Sequence, residues 1–530
     1  MGPFLNWGYL DAFFLLLALW TLLKLSQAVR KRVKTTKLNG PPSSSLLFGV
    51  TRDIVKGDQG VLYEQWATEY GPVFQIPTML GGRRTILVDP KAVAHFYSRE
   101  TFTYVNSKFS KMAISNLIGK GLLYAEGESH RRQRKTLSPA FSNAAIRNLI
   151  HVFFDSAYKV KTAWDAVISA SDSDEAIINV QKWMNCVSLD SIGIAGFGHD
   201  FGALHGEHSA IEELFDSFGN IPQNPFIILL GSVFPFLIRL PTKRKRLISR
   251  LHNTMEDVSE KLLARSRKEK EIGGVASDTS RSIIGSLLKA ENADSELRLS
   301  GEEMKVLIVA GYETTSISLT WALVELSKHQ EMQDKLRAEL SEFTNKDPTY
   351  DQISNGLPYL DAVARETIRL HPPLGVTGRI AAQDDVVPLS KPIITSSGEK
   401  VDHITLAKGS QVLVPIRSIN HSVDFWGPDA KEFKPERWLD NEAGLPSAAK
   451  EIQGYHHILS FIDGPRTCLG RAFAIAEFKS VLSVLIRNYV FNLRDGPETK
   501  IDKINALLPR PKVAGEDGYT LPMRVRRFEY

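Results

Sequence analysis

The 530-residue chain has only two cysteines, Cys186 and Cys468, set far apart. A disulfide scaffold is excluded, and the usage fits a reducing compartment. Excess charge of one sign is nearly absent: 65 basic residues against 60 acidic ones leave +5. Even that surplus is local. Lys24, Arg30, Lys31, Arg32, Lys34 and Lys37, set against Asp11, place all of it in residues 1–40, and the rest balances to zero. No basic nucleic-acid-binding face is implied. Internal repeats and long low-complexity linkers are missing after residue 45. With hydrophobic residues at 43% and charged ones at 24%, wholesale disorder, collagen-like structure and a polytopic transporter are all excluded.

What is present begins with one apolar run, Phe4 to Leu23, whose sole charge is Asp11. Its length suits a hydrocarbon core of about 30 Å. Trp7, Tyr9 and Trp20 lie near its ends, where amphipathic rings prefer the interface. A cleaved signal peptide is the rival reading, with Ser26 and Ala28 as its small residues. Against it, the basic run follows the apolar stretch instead of preceding it. Positive-inside logic keeps that run, and the body after it, in the cytosol. The expected division is a membrane anchor and stop-transfer segment at 1–38 and a body at 39–530. Pro41 and Pro42 mark the joint, stiff and extended. Asn420-His421-Ser422 is a formal glycosylation sequon, expected to stay bare in a cytosolic body.

The body reads as mainly α with small β-sheets, an α+β fold. Gln75 to Asp89, around Gly81-Gly82, suggests a β-hairpin. Helical patterns dominate from about residue 125 to 370. Ser300 with Glu303 forms a capping box that opens a long helix. Pro358 opens another, ending at Leu370-His371-Pro372-Pro373. Residues 375–445 read as irregular with short strands, and Leu469 to Ile486 as helix. Ile221 to Leu240 is apolar but holds three prolines. It reads either as a core helix pair or as a patch dipping into a membrane.

The chemistry centres on Phe461-Ile462-Asp463-Gly464-Pro465-Arg466-Thr467-Cys468-Leu469-Gly470. A cysteine just before a helix sees the positive end of the dipole and free N–H groups, so its pKa is expected to fall. Gly464 and Gly470 allow a tight turn and leave room for a flat ligand. Arg466 offers a partner for an anion. Phe461, Gly464, Arg466, Cys468 and Gly470 fall at the spacing F-x-x-G-x-R-x-C-x-G, which resembles the haem-binding loop of the cytochrome P450 monooxygenases.

Further motifs agree with that resemblance, in the family's order. Glu366-Thr367-Ile368-Arg369 resembles E-x-x-R. Leu370-His371-Pro372-Pro373 and Phe433-Lys434-Pro435-Glu436-Arg437-Trp438 follow it. The resemblance implies that Glu366, Arg369 and Arg437 form a buried structural ion triad, tolerable only because each group is paired. Ala310-Gly311-Tyr312-Glu313-Thr314-Thr315 resembles the oxygen-activation motif A-G-x-[DE]-T. The bland alternative is a threonine bonding back to a helical carbonyl. His130 and Arg134 resemble the W-x-x-x-R pair that binds haem propionates, with His130 in the tryptophan's place. Arg379 matches a further propionate arginine. The resemblance covers residues ~40–530 and, with the anchor, points to a microsomal, fungal-type member. One departure stands out. Between Glu303 and Gly311 the chain is about one helical turn, roughly four residues, shorter than the family's usual spacing, which keeps the helix face in register.

The resemblance implies haem b with Cys468 as axial thiolate ligand, and Glu313 and Thr314 delivering protons. It implies electrons from NADPH through a separate NADPH–cytochrome P450 reductase, with cytochrome b5 as a second candidate partner. The chain shows no nucleotide-binding or flavin module of its own. Arg131, Arg132 and Lys135 offer a docking patch. The implied reaction inserts one oxygen atom into a hydrophobic small molecule at the endoplasmic reticulum membrane. Rival readings are a reductase-independent haem-thiolate isomerase or dehydratase and a non-catalytic membrane-tethered haem protein. Phe109, Met112, Ile114, Leu117 and Ile118, then Leu374, Val376 and Thr377, then Ala506, Leu507 and Leu508, fall where the family contacts substrate. Being nearly all apolar, they suggest a terpenoid, steroid-like or aromatic ligand.

Overall fold

A computed structural model describes residues 5–207, 211, 242–271, 282–290, 300–505, 508–516, 518 and 520–529. The chain divides into two compact units, residues 1–106 with 377–415, and residues 107–376 with 416–530. The expected body at 39–530 draws on both. The apolar segment Ile221 to Leu240 lies outside the described residues, as do Ala506 and Leu507.

In the smaller unit, helix α1 (Leu5–Lys34) carries the apolar run and continues through the basic residues. Strands β1 (Val73–Pro77) and β2 (Arg83–Leu87) form the hairpin expected around Gly81-Gly82. They join a five-stranded sheet with β3 (Tyr104–Val105), β4 (Thr377–Ala381) and a later strand, Gln411–Val414. Between the last two lie β5 (Asp385–Ile394) and β6 (Lys400–Leu406), paired antiparallel. The stretch expected to be irregular is therefore more ordered than it reads, because β5 is ten residues long. The strand Gln411–Val414 is β7.

In the larger unit, α2 (Lys108–Ile118), α3 (Gly127–Leu137), α4 (Ile150–Ser169) and α5 (Val180–Ser191) precede the central helix α6 (Gly301–Lys328). The Ser300–Glu303 capping box opens α6 as expected. Both halves of the box satisfy N–H groups that a helix start leaves orphaned. α6 is unbroken through Thr314. Its first turn abuts the end of α2, where the Glu302 carboxylate accepts from the Lys120 N–H and from Lys305 Nζ at 3.0 Å. A Cβ on Gly119 would force the Glu302 carboxylate to shift, and the φ of 82° at this turn itself favours glycine. Helix α6 is long and apolar enough to cross a membrane, but 72% of its apolar window is buried, which makes it a core helix.

Helix α7 (Pro358–Leu370) begins at its proline, and α8 (Arg471–Asn488) follows the cysteine loop. The core of this unit gathers residues of α4, α5, α6, α7 and α8. Phe153 of α4 meets Phe473 of α8 edge to face, with centroids 4.9 Å apart. Fully burying one such ring is worth roughly 1.5–3 kcal/mol. A second cluster, including Ile368, Trp426, Trp438, Ile458 and Phe461, lies beneath the cysteine loop. A two-stranded hairpin, β8 (Ile501–Asn505) with β9 (Pro509–Val513), completes the elements used below.

Candidate active site

The loop before α8 is held by its own backbone. Ile462 and Gly464 have φ of 60° and 67°, so the chain turns back sharply and the Cys468 N–H donates to the Phe461 carbonyl at 2.8 Å. Only at Gly464 does the residue type remove the steric cost of that conformation. The Gly470 N–H donates to Cys468 Sγ. The Cys468 side chain presents open surface, yet protein surrounds it closely enough for desolvation to dominate its titration. A group with both properties lines a recess.

The thiol pKa corrects the expectation drawn from the helix dipole. Burial pushes the Cys468 thiol up, and the Gly470 N–H, Arg134 and Arg471 recover only part of that. The protein alone thus keeps a neutral thiol, and a metal cation replacing the proton would be what fixes the thiolate.

Two arginines stitch this loop to the segment before and within α3. Arg134 Nη1 donates to the Thr467 carbonyl, and Arg466 Nη2 to the Ala125 carbonyl at 2.7 Å. His130 is buried on the same helix, while Arg131, Arg132 and Lys135 are exposed. His130, Arg134, Arg466, Phe461 and Gly470 therefore lie on the two segments that meet around Cys468. Arg379 is on β4 of the smaller unit, where it pairs with the buried Glu100, Nε to Oε1 at 2.9 Å.

Glu366, Arg369 and Arg437 are brought together and fully buried. Arg369 Nε and Nη2 donate to the two Glu366 oxygens, each at 2.8 Å, and Arg437 Nε donates to Oε1 at 2.8 Å. Burial alone would push the Glu366 carboxyl up, but the two guanidiniums outweigh it and hold the pKa below the ordinary value. Two further donors were not read from the sequence: Trp438 Nε1 at 2.9 Å and the Lys434 N–H at 3.0 Å.

On α6, Thr314 Oγ1 donates to the Ala310 carbonyl at 2.6 Å, which is the bland alternative for that residue. Glu313 is completely buried. Its Oε1 accepts from Arg510 Nε and from the Leu508 N–H, both at 3.3 Å. Gly311 has a packing reason of its own: a Cβ there would meet Ile192 Cγ1 at 2.8 Å. Sequence reasoning also missed Glu477 on α8. It is fully buried, and burial pushes its carboxyl well up; the hydroxyls of Ser188, Thr315 and Ser191 lower it only partly. Those hydroxyls lie outside close hydrogen-bond geometry. A carboxylic acid among serines on a core helix has no local sequence signature.

The donor set fits a haem: one accessible thiol at a glycine-flanked turn, an aromatic at Phe461, and cationic residues on the adjoining helix. The cytochrome P450 family model matches residues 40–514. This chain belongs to the cytochrome P450 family. The protein is 55% identical to cytochrome P450 monooxygenase claP of Ampulloclitocybe clavipes, with all of both chains covered. It is 34% identical to cytochrome P450 monooxygenase 205 of Postia placenta, with 92% of each covered. Ganoderic acid synthetase CYP5150L8 of Ganoderma lucidum is 34% identical, with 87% of this chain and 88% of that one covered. The protein is accordingly a haem-thiolate P450 monooxygenase, an oxidoreductase of fungal type.

Proposed function

We propose that this cytochrome P450 inserts one atom of O2 into a hydrophobic small molecule, of terpenoid, steroid-like or aromatic class. Electrons come from NADPH through a separate reductase, with cytochrome b5 as a second candidate donor. The observation that carries this reading is the Cys468 thiol, open to a recess and cradled by the Gly470 N–H within the family's loop.

Bound haem b, ligated through Cys468, supplies the oxygen activation. Cys468 would hold that group as a thiolate, a form that Arg134 and Arg471 favour. His130, Arg134 and Arg466 bind and orient the group's carboxylates, arginine being suited to carboxylate geometry. Thr314 exchanges its bond to the Ala310 carbonyl for one to a water and holds that water in place for proton transfer, with Glu313 beside it as the acid. Arg131, Arg132 and Lys135 present a basic surface to an acidic electron donor. Helix α1 anchors the chain in the endoplasmic reticulum membrane, with the body in the cytosol.

The test is co-expression with a reductase, followed by untargeted mass spectrometry. An oxygenated product that requires both NADPH and reductase is expected. A product formed without reductase would favour the isomerase or dehydratase reading.

A further inference from the structure

Glu477 of α8 is a fully buried carboxyl for which the proposed chemistry has no use. Burial acts on it first, then the hydroxyls of Ser188, Thr315 and Ser191, and among the described residues no charged side chain does. The ionisable groups of the helices around it have partners of their own. Asp190 of α5 accepts from the Ala203 and Leu204 N–H groups, Glu313 of α6 pairs with Arg510 of β9, and Lys479 of α8 pairs with Asp361 of α7. A carboxyl withdrawn from water with no cation beside it keeps its proton. It is then both donor and acceptor. Its two oxygens and the three hydroxyls are buried and stand outside close hydrogen-bond geometry. Ordered water bridges polar groups at that spacing. The packing explains why they meet. Gly311 and Thr315 lie on one face of α6, four residues apart. At Gly311 the absent Cβ admits Ile192, which directly follows Ser191 and opens a π-helical turn, Ile192–Gly196. Single π-helical turns recur at functional sites. Helix α5 is thus pressed against α6 where Ser188 and Ser191 adjoin Thr315, and α8 supplies the acid.

We propose that Glu477, with Ser188, Ser191 and Thr315, holds a small cluster of ordered water where α5, α6 and α8 meet, and that Glu477 is thereby a positioning residue: a neutral acid that ties α6 to the helix following the cysteine loop. Holding Thr315 fixes the rotation of α6 about its axis. The direction of Thr314, the preceding residue, is fixed with it, and so is its placement relative to Cys468. The functional part of this rests on the role given to Thr314 above. The bound water is a structural ligand, and Glu477 neither gains nor loses a proton in turnover.

The test uses the full-length, haem-loaded protein as wild type, Glu477→Gln, Glu477→Leu and Thr315→Val. The carbon monoxide spectrum of each reduced protein reports the fold and the thiolate. Infrared spectra in H2O and D2O report a protonated carboxyl. Oxygen-17 relaxation dispersion of the reduced, carbon monoxide-bound protein counts long-residing internal waters. With reductase, product and hydrogen peroxide per NADPH report the placement of Thr314. Wild type should show a protonated-carboxyl band at neutral pH that shifts in D2O and is missing from Glu477→Gln. Glu477→Leu should hold fewer internal waters and give about tenfold less product per NADPH with more peroxide, within the roughly 10²-fold that a 1 Å misplacement costs. Glu477→Gln is neutral and still donates and accepts, so it should keep the water and most of the product. Thr315→Val removes only a hydroxyl; it should move the carboxyl band and lower the product yield. The proposal is overturned if wild type has no band that Glu477→Gln removes, if Glu477→Leu keeps the full water count or the full product yield, or if Glu477→Gln is as poor as Glu477→Leu. Should Glu477→Leu fail to fold, Thr315→Val decides: an unmoved band and an unchanged yield overturn the proposal. A wild-type protein with no thiolate-type carbon monoxide band would instead defeat the proposed function, whatever the carboxyl band shows.

Discussion

Trp438 donates its indole N–H to Glu366 Oε2 at 2.9 Å, the same oxygen that accepts from Arg369 Nε at 2.8 Å. Glu366 thus receives donors from Arg369, Arg437, Trp438 and the Lys434 backbone, joining α7 to the segment 434–438. Removing the carboxylate strands two buried guanidiniums. Glu366→Ala should cost about 3–5 kcal/mol, the usual penalty for breaking a buried ion pair. The yield of folded, haem-loaded protein and the urea midpoint should both collapse. Trp438→Phe removes only one donor and should cost about 1–3 kcal/mol. Equal midpoints for Glu366→Ala and wild type would contradict this account of the triad.

Stability should also depend on acid through His371. This residue stacks on Trp321, with ring centroids 3.9 Å apart and planes within 3°, and its Nε2–H donates to Glu325 at 2.7 Å. Burial holds its pKa down at about 4, from an ordinary 6.5, against the pull of Glu325. The unfolded chain therefore takes up this proton first as pH falls, near 6.5, and the folded chain only near 4. Stability from this group is complete above 6.5 and is lost as pH drops through that window. Thermal midpoints measured between those values should fall with acid. His371→Gln keeps a donor for Glu325 without titrating, so it should flatten that slope. An identical slope in the variant would rule His371 out as the cause.

How much of this was legible depended on how local each signal is. The Ser300–Glu303 box, Pro358 at its helix start and the hairpin around Gly81 are short-range patterns, and each appears as read. The Cys468 loop is likewise a ten-residue pattern. Partners far along the chain were not legible. Arg510 lies 197 residues from Glu313, and Trp438 lies 72 from Glu366. The direction of the Cys468 shift was misjudged because helix position is visible in a sequence while burial is not. Gly311 was legible only as part of the A-G-x-[DE]-T motif, and its close approach to Ile192 is a packing fact that only the fold reveals.

Asn420 should stay unglycosylated for a reason beyond topology. It is completely buried: its amide donates to the Arg369 carbonyl at 3.2 Å and to Ser460 Oγ at 3.0 Å. A folded molecule has no room for a glycan there. Peptide mass spectrometry of protein made in a glycosylating host should find Asn420 bare. A glycan on soluble, haem-loaded protein would contradict both the burial and the cytosolic placement.

Thr314→Ala tests the proton path. The substitution deletes a hydroxyl now bonded to the Ala310 carbonyl and leaves the cysteine loop untouched. Reduced protein should keep its carbon monoxide spectrum, and NADPH should still be consumed with reductase. Product should fall and free hydrogen peroxide rise, since one general-acid contribution is worth about 10²–10⁴ in rate. If product per NADPH matches wild type, Thr314 serves only its helix.

The most direct measurement is the carbon monoxide difference spectrum of the reduced, full-length protein and its two single-cysteine variants. Cys468 presents open surface to the recess, whereas Cys186 is buried in the core of α5. Wild type and Cys186→Ser should give the strongly red-shifted Soret band of thiolate ligation, and Cys468→Ser should lose it. A histidine-type band in freshly folded wild type, or a thiolate-type band that survives Cys468→Ser, would contradict Cys468 as the iron's ligand and the function built on it.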